Sequence, residues 1–288
     1  MSLLKSCPIC QSIHVANSIT DWHFNCKSCG YEFSNLEPCI NFSQQKIEID
    51  EELRLKALRK IRDVNFKNIH SILLKFCKPG STLLDIGAAH GWFLDEAKGS
   101  FSTTGIEPDQ IFREVLISSS HNVRIGFFPQ ALSNTDTYDI IVFNDVIEHM
   151  PDINSTLNSC YKHLNNGGIL FINCPSSSGL FYQISKQLAH FGIQSFFDRM
   201  WQYGMKSPHI HYFNLFNLCN AVKNNGFIIF DTGNLTTLSK EGLFSRVSYA
   251  GKSFFIINVF IYLFLICLLP LLKIFPGDII YCVAKKES

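Results

Sequence analysis

Beyond Gly80 short apolar runs recur, and each ends on an acid, an amide or a glycine. They read L-L-D-I-G at 83–87, T-T-G-I-E at 103–107, I-I-V-F-N-D at 140–145 and G-I-L-F-I-N at 168–173. Runs this short, bounded by turn residues, predict strands buried on both faces of a parallel sheet. A helix start follows at Pro151-Asp152, and the segment Pro208 to Phe227 predicts a late helix closing on Gly226-Phe227. Phe227 to Phe230 and Asp278 to Lys286 predict the last two strands. Upstream, Leu53, Leu55, Leu58, Ile61, Val64, Ile69, Ile72, Leu73 and Phe76 predict one or two helices ending before Pro79-Gly80, with a cap and acidic first turn at Ile49-Asp50-Glu51-Glu52. Strands alternating with helices define an α/β fold.

One run breaks this rhythm. Phe254 to Leu272 is apolar except for Asn258 and Pro270, and its length suits a membrane span. It lies between two strands of one sheet, so a single crossing would part the last strand from its neighbours. The segment is therefore expected to lie on a membrane, re-enter it or pack against protein. Lys252 and Lys273 flank it and suit a headgroup layer. Peripheral membrane contact through 254–272 is the expectation; a dimer interface and a wall for an apolar substrate are its rivals.

The N-terminal stretch follows neither pattern. Cys7-Pro8-Ile9-Cys10 and Cys26-Lys27-Ser28-Cys29 are two C-x-x-C pairs fifteen residues apart, a spacing that predicts a structural zinc site held by Cys7, Cys10, Cys26 and Cys29. Ile9, Ile13, Trp22, Phe24, Tyr31 and Phe33 are too little apolar mass for a core of their own, so metal is expected to supply the folding energy. Cys39 is a lower-ranked spare ligand. Residues 1–40 are thus read as a zinc ribbon, and 47–288 as a second domain with an apolar insertion at 251–276.

Composition narrows the function. The chain has 288 residues and a net charge of +1, which gives no broad basic field for nucleic acid. Eleven cysteines without a secretory signal over Met1 to Cys10 predict a reducing, cytoplasmic setting and no disulfide framework.

The chemistry is read from the first strand. Asp85, Gly87 and Gly91 form D-x-G-x-x-x-G, and Glu107 follows Asp85 by twenty-two residues. An acid about that far on, at the end of the next strand, is placed to accept hydrogen bonds from a ribose diol. The loop lacks the dinucleotide pattern G-x-G-x-x-G, and an acid before its first glycine suits a ligand with a cationic end. Here the chain resembles the class I S-adenosylmethionine (SAM) methyltransferases, whose first motif usually reads D-x-G-x-G-x-G; Ala89 replaces the middle glycine. The stretch Y-D-I-I-V-F-N-D-V-I-E-H-M-P-D at 138–152 resembles the family's fourth strand and its continuation, and L-N-N-G-G-I-L-F-I-N-C-P at 164–175 its fifth.

The resemblance implies a Rossmann-like sheet, parallel with an antiparallel last strand. It places Gly87, Ala88 and Gly91 at the methionine part of SAM, with Asp85, Asn144 and Asp145 converging at neighbouring strand ends, and Glu107 at the ribose. Phe127 or Phe128 is expected at the adenine, or else in the core. The helix before Gly80 either lids the cofactor or packs on the sheet edge. His149, His209 and His211 are candidates for a catalytic base, each with a structural hydrogen bond as the alternative. Asp145-x-x-Glu148-His149 with a distant His209 resembles a divalent-ion set of the small-RNA 2′-O-methyltransferases and of ubiquinone-pathway O-methyltransferases; similar E-H pairs elsewhere in the family bind no metal. The aromatic segment Ser176 to Ser207 is expected to cap the acceptor. The acceptor is expected to be a small molecule, saccharide or lipid-linked hydroxyl. An RNA methyltransferase, using Arg54, Lys56, Arg59, Lys60, Arg62 and Lys67 on phosphates, and a non-catalytic ribbon protein remain as alternatives; the same basic residues otherwise form the wet face of a helix.

Overall fold

The computed structural model describes residues 6–41, 51–240, 242–250, 255–272 and 274–287. The expected cap at Ile49-Asp50, the domain boundary at residue 47, the start of the insertion at 251–254 and the flanking Lys252 and Lys273 lie outside the described residues.

The chain opens with three short strands, β1 (Val15–Asn17), β2 (His23–Cys26) and β3 (Glu32–Ser34). One long helix follows, α1 (Glu51–Phe76), where one or two were expected. The alternating part then runs β4 (Thr82–Ile86), α2 (Trp92–Ala97), β5 (Ser102–Glu107), α3 (Arg113–Ser118), β6 (Val123–Ile125), β7 (Tyr138–Asn144), α4 (Ile153–His163) and β8 (Leu164–Pro175). After it come α5 (Leu180–His190), α6 (Ser195–Met200), β9 (His211–Tyr212), α7 (Leu215–Asn224), β10 (Phe227–Asn234), α8 (Leu243–Ala250), α9 (Phe255–Leu272) and β11 (Ile279–Lys286).

Seven strands form the main sheet in the order β10-β11-β8-β7-β4-β5-β6. β8, β7, β4, β5 and β6 run parallel, and β11 is antiparallel to both β8 and β10. This is a Rossmann-like sheet with an antiparallel last strand. Its central strands are apolar without alternation because helices cover both faces: Ile141, Phe143 and Leu84 point to one buried cluster, Ile140, Val142 and Leu83 to the other. The helix start at Pro151-Asp152 stands, with the Asp152 carboxylate accepting from the Ser155 amide at 3.0 Å.

The cysteine-bearing segment departs from the expected appendage. Its strands form a second sheet, β1-β2-β3-β9, whose fourth strand comes from far down the chain, with Glu32 opposite Tyr212 and Phe33 opposite His211. Residues read as part of a late helix are therefore a strand, and α7 begins only at Leu215. Cys7, Ile9, Cys26, Tyr31 and Phe33 pack into the same core as Phe143, Ile172 and Phe213. Trp22 packs with Tyr182, Phe197, Trp201 and Tyr212. The aromatic segment expected to cap an acceptor thus holds the ribbon with four of its rings, Tyr203 stacking on Trp22 as well.

The apolar insertion forms α9, eighteen residues long with Pro270 inside it. Phe244 of α8 meets the rings of Phe255 and Tyr262 at 5.8 and 5.6 Å. Among the described residues no helix is long and apolar enough to cross a membrane, and no disulfide is formed.

Candidate active site

Where β4 ends, the chain turns through Gly87 to Gly91 before α2. Gly87 has φ +76°, and a Cβ there would lie 2.5 Å from a Val146 methyl carbon. Gly91 has φ +74°, with His121 Cδ2 at 2.8 Å from such an atom. Both positions need glycine for conformation and for space. Ala89 adopts φ +45°, a left-handed conformation costing an L-residue about 1 kcal/mol. Its amide donates to Glu107 Oε2 at 2.8 Å. The other oxygen of Glu107 accepts from the Asp109 amide at 2.8 Å. Ala88 turns inward against Gly105, so it supports the loop from beneath.

A buried polar chain ties the neighbouring strand ends together. Asn173 of β8 donates to Asn144 Oδ1 at 2.9 Å, and Asn144 donates to Asp85 Oδ1 at 3.2 Å. Asn173 Oδ1 also accepts from the Asp145 amide at 3.2 Å, where the backbone stands at φ +54°. Burial pushes the Asp85 carboxyl up to about 8 and that of Glu107 up to about 7. A cation or hydroxyl donors placed beside these acids would favour their charged forms and draw both values back down.

These residues border a cavity of ≈ 860 Å³. Gly87, Ala89, Glu107, Phe127, Asn144 and Asp145 line it, with Asp85 and Ala88 in a small recess beside it. Phe128 lines it too; Phe127 is half exposed there, whereas Phe128 is mostly buried and also meets Phe143 edge to face. Helix α1 contributes Leu58 and Arg62, so it borders the cavity rather than only the sheet edge. Arg62 Nη2 lies 3.8 Å from Asp145 Oδ2 and shares the recess with Asp85 and Gly87. Sequence reading left Arg62 among the basic residues of α1. Its legible signal was its place one turn after Leu58 and beside buried Ile61, within the apolar stripe of the helix. Asn173 and Gln202 were missed too; neither carries a local motif.

The three histidines separate. His149 lines the cavity; its Nδ1–H donates to Pro208 O at 2.9 Å, which leaves Nε2 as an acceptor 3.9 Å from Glu148 Oε1. His209 Nε2 lies 4.0 Å from the same oxygen and 2.9 Å from the Gln202 amide nitrogen. Glu148, His149 and His209 form a cluster of metal-ligating geometry. Glu148 is buried, and neither carboxylate oxygen has a hydrogen-bond partner. Its pKa is raised strongly by burial and by the Asp145 charge. Asp145 stays outside the cluster, turned toward Arg62. His211 lies away from the cavity: its Nε2–H donates to Met150 O at 2.7 Å and its Nδ1 accepts from the Tyr31 hydroxyl. Burial lowers its pKa to about 4. Both nitrogens being engaged, His211 joins ribbon to sheet and offers no base to the cavity.

The four predicted cysteines do meet. Cys7 and Cys29 sulfurs are 3.7 Å apart, those of Cys10 and Cys26 3.5 Å. A tetrahedral zinc with ~2.3 Å bonds sets sulfurs roughly 3.8 Å apart, so the donor set and spacing fit that ion. Cys39 lies outside this cluster.

Sheet order, glycine loop and paired acids define a class I SAM-dependent methyltransferase. A family model described as "Methyltransferase domain" matches residues 57–230, more than half of the chain, and the chain belongs to that family. Curated relatives include the ubiquinone biosynthesis O-methyltransferase of Paramagnetospirillum magneticum, 26% identical over 41% of this chain and 49% of its own length. The mitochondrial enzyme of that name from Rattus norvegicus is 26% identical over 49% of this chain and 47% of its own. The chain thus spans about half the length of these relatives. Among solved structures, phosphoethanolamine N-methyltransferase 2 of Haemonchus contortus with bound SAM has a TM-score of 0.57 at 18% identity, covering 89% of this chain and 62% of that one. A SAM-dependent methyltransferase of Thermotoga maritima has a TM-score of 0.55 at 14% identity, covering 83% and 95%. At such identities the likeness establishes the fold.

Proposed function

We propose that the protein transfers methyl from SAM to a hydroxyl of a small-molecule or lipid-linked acceptor. The observation that carries this reading is the Glu148–His149–His209 cluster beside the cofactor loop, with His149 and Asn144 on one cavity wall. The curated relatives named as ubiquinone O-methyltransferases support oxygen as the target; the RNA-methylating and non-catalytic alternatives find no such support.

SAM, when bound, supplies an electrophilic methyl group. Asp85 and Arg62 would hold its amino acid end, the turn at Gly87 and Ala89 would border it while Gly91 lets that turn pack on His121, Glu107 would take the ribose hydroxyls, and Phe127 would cover the adenine. His149 Nε2 would accept the proton of the acceptor hydroxyl, with Pro208 O fixing the tautomer. With a divalent ion held by Glu148, His149 and His209 instead, Nε2 would be a ligand rather than the base, the ion would lower the pKa of that hydroxyl and its proton would pass to solvent; the unpartnered Glu148 oxygens fit such an ion. Zinc at Cys7, Cys10, Cys26 and Cys29 would have a structural role. Peripheral lipid contact through α9 belongs to the same reading, because Phe255, Ile256, Phe260 and Phe264 are exposed on a helix without charge.

The test has two stages. Titration calorimetry with S-adenosylhomocysteine is expected to show micromolar binding that Asp85→Ala loses. A screen of quinols and glycolipids with labelled SAM should then give a methyl ether. His149→Asn should lower its formation by about 10²-fold or more, and Glu148→Gln should remove any response to added Mg²⁺ or Mn²⁺. Transfer to nitrogen only, or no cofactor binding by folded protein, would reject the reading.

A further inference from the structure

The ribbon does not end at its last strand. The segment Leu36 to Asn41 leaves β3 and runs along the mouth of the cavity, where Pro38 and Ile40 join its lining. Both ends of this segment are anchored in the methyltransferase fold. At the ribbon end, Ser34 donates from its amide to Ile210 O at 2.8 Å and from its hydroxyl to His209 O at 2.9 Å. Midway, the Cys39 amide donates to Lys206 O at 2.8 Å. At the far end, Asn41 grips the loop after Glu107 with both side-chain atoms: Nδ2 donates to Pro108 O at 2.7 Å, and Oδ1 accepts from the Gln110 amide at 3.0 Å. Lys206 Nζ, 3.5 Å from Asp109 Oδ2, reaches the same loop from the other side.

We propose that Leu36 to Asn41 is a strap that completes the SAM site, with Asn41 and Ile40 positioning the adenosine side of the cofactor. This rests on the reading of the cavity as that site. The loop Pro108–Gln110 continues directly from the acid that would take the ribose, so whatever holds the loop holds that side of the site. In a free loop, ordering would be paid on binding; here the strap has imposed it beforehand. The anchoring also runs through the cysteine cluster, because β3 follows Cys29 directly and β3 carries the strap. The ribbon is then a wall of the cavity, and a zinc ion held by its four cysteines would bear on cofactor affinity.

Asn41 is exposed and Ile40 half-buried, so both can be changed without opening the core. The experiment is calorimetric titration of the full chain with S-adenosylhomocysteine, for wild type, Asn41→Ala, Ile40→Ser and Asp85→Ala, each with its melting temperature and zinc content measured. Asn41→Ala loses two hydrogen bonds to the loop and is expected to weaken binding by about tenfold; Ile40→Ser should weaken it by roughly threefold. Melting temperature and zinc content should stay at wild-type values. Wild-type affinity in both strap variants, with loss in Asp85→Ala, would overturn the strap and leave the cofactor reading standing. Weaker binding that comes only with lost zinc or a lower melting temperature would also overturn it, since the effect would then be one of folding. If wild type itself fails to bind, the cofactor reading falls and the strap falls with it.

Discussion

The ribbon and helix α9 are the two additions to the central sheet, and their apolar residues meet opposite fates. The ribbon is no more apolar than the chain as a whole, yet Tyr31 is 0% and Phe33 2% exposed. Helix α9 is the most apolar segment, yet Phe260 is 68% and Phe264 66% exposed. The difference is one of partners. The ribbon contributes a sheet edge that pairs with β9 and presents Trp22 to a nest of aromatic rings. Helix α9 is reached and left through two antiparallel strands at one end of the sheet and meets α8 along part of its surface. Hydrophobicity supplies the drive to bury, and topology decides which residues find a surface to bury against.

The largest test of this contrast is Cys26→Ser. If the four thiols hold zinc, losing one ligand should cost about 4 kcal/mol or more, read by urea denaturation together with zinc content. A loss under about 1 kcal/mol would reduce the cysteines to ordinary packing. Next comes Trp201→Ala, which empties the centre of the aromatic nest and should cost about 3–5 kcal/mol.

A third, smaller effect sits at Glu32. His23 Nε2 at 2.8 Å, the Tyr182 hydroxyl at 2.6 Å and Lys186 Nζ at 2.6 Å all donate to this buried carboxylate of β3. Burial alone would raise its pKa, but the His23 bond and the Lys186 charge hold it below the ordinary value. Its contribution is therefore present above the unfolded pKa and lost as pH falls through the folded one. Glu32→Gln should cost about 2 kcal/mol at neutral pH and flatten the acid limb of the stability curve. Asp85 and Glu107 behave in the opposite sense. Raised to about 8 and about 7, they make the ligand-free protein lose stability as pH rises from about 4 toward 8, and Asp85→Asn should reduce that slope.

The smallest effect belongs to α9. Replacing Phe260 and Phe264 together by serine should change folding stability by less than about 1 kcal/mol, since neither ring is buried. The same pair should lower flotation with anionic liposomes. A large loss of stability would mean that α9 is covered by protein, and the contrast with the ribbon would collapse.

The order of β4, β5, β7 and β8, the glycine loop, the paired acids and the cysteine spacing were all legible in the sequence. Each is written in neighbouring residues: apolar runs, a turn that only glycine enters, two cysteines one knuckle apart. What tertiary structure alone decided is how distant segments meet. Nothing local in His209-Ile210-His211 distinguishes an imidazole facing Glu148 from one that joins two sheets; pairing of β3 with β9, more than half the chain away, does so. Arg62 looked like one of several solvent-facing cations until α1 was laid across the cavity. The aromatic residues of 176–207 were legible as apolar but not as the ribbon's seat. Local spacing specifies elements and turns because its forces act over a few residues. The identity of a site wall depends on long-range packing, for which a single sequence carries no short-range mark.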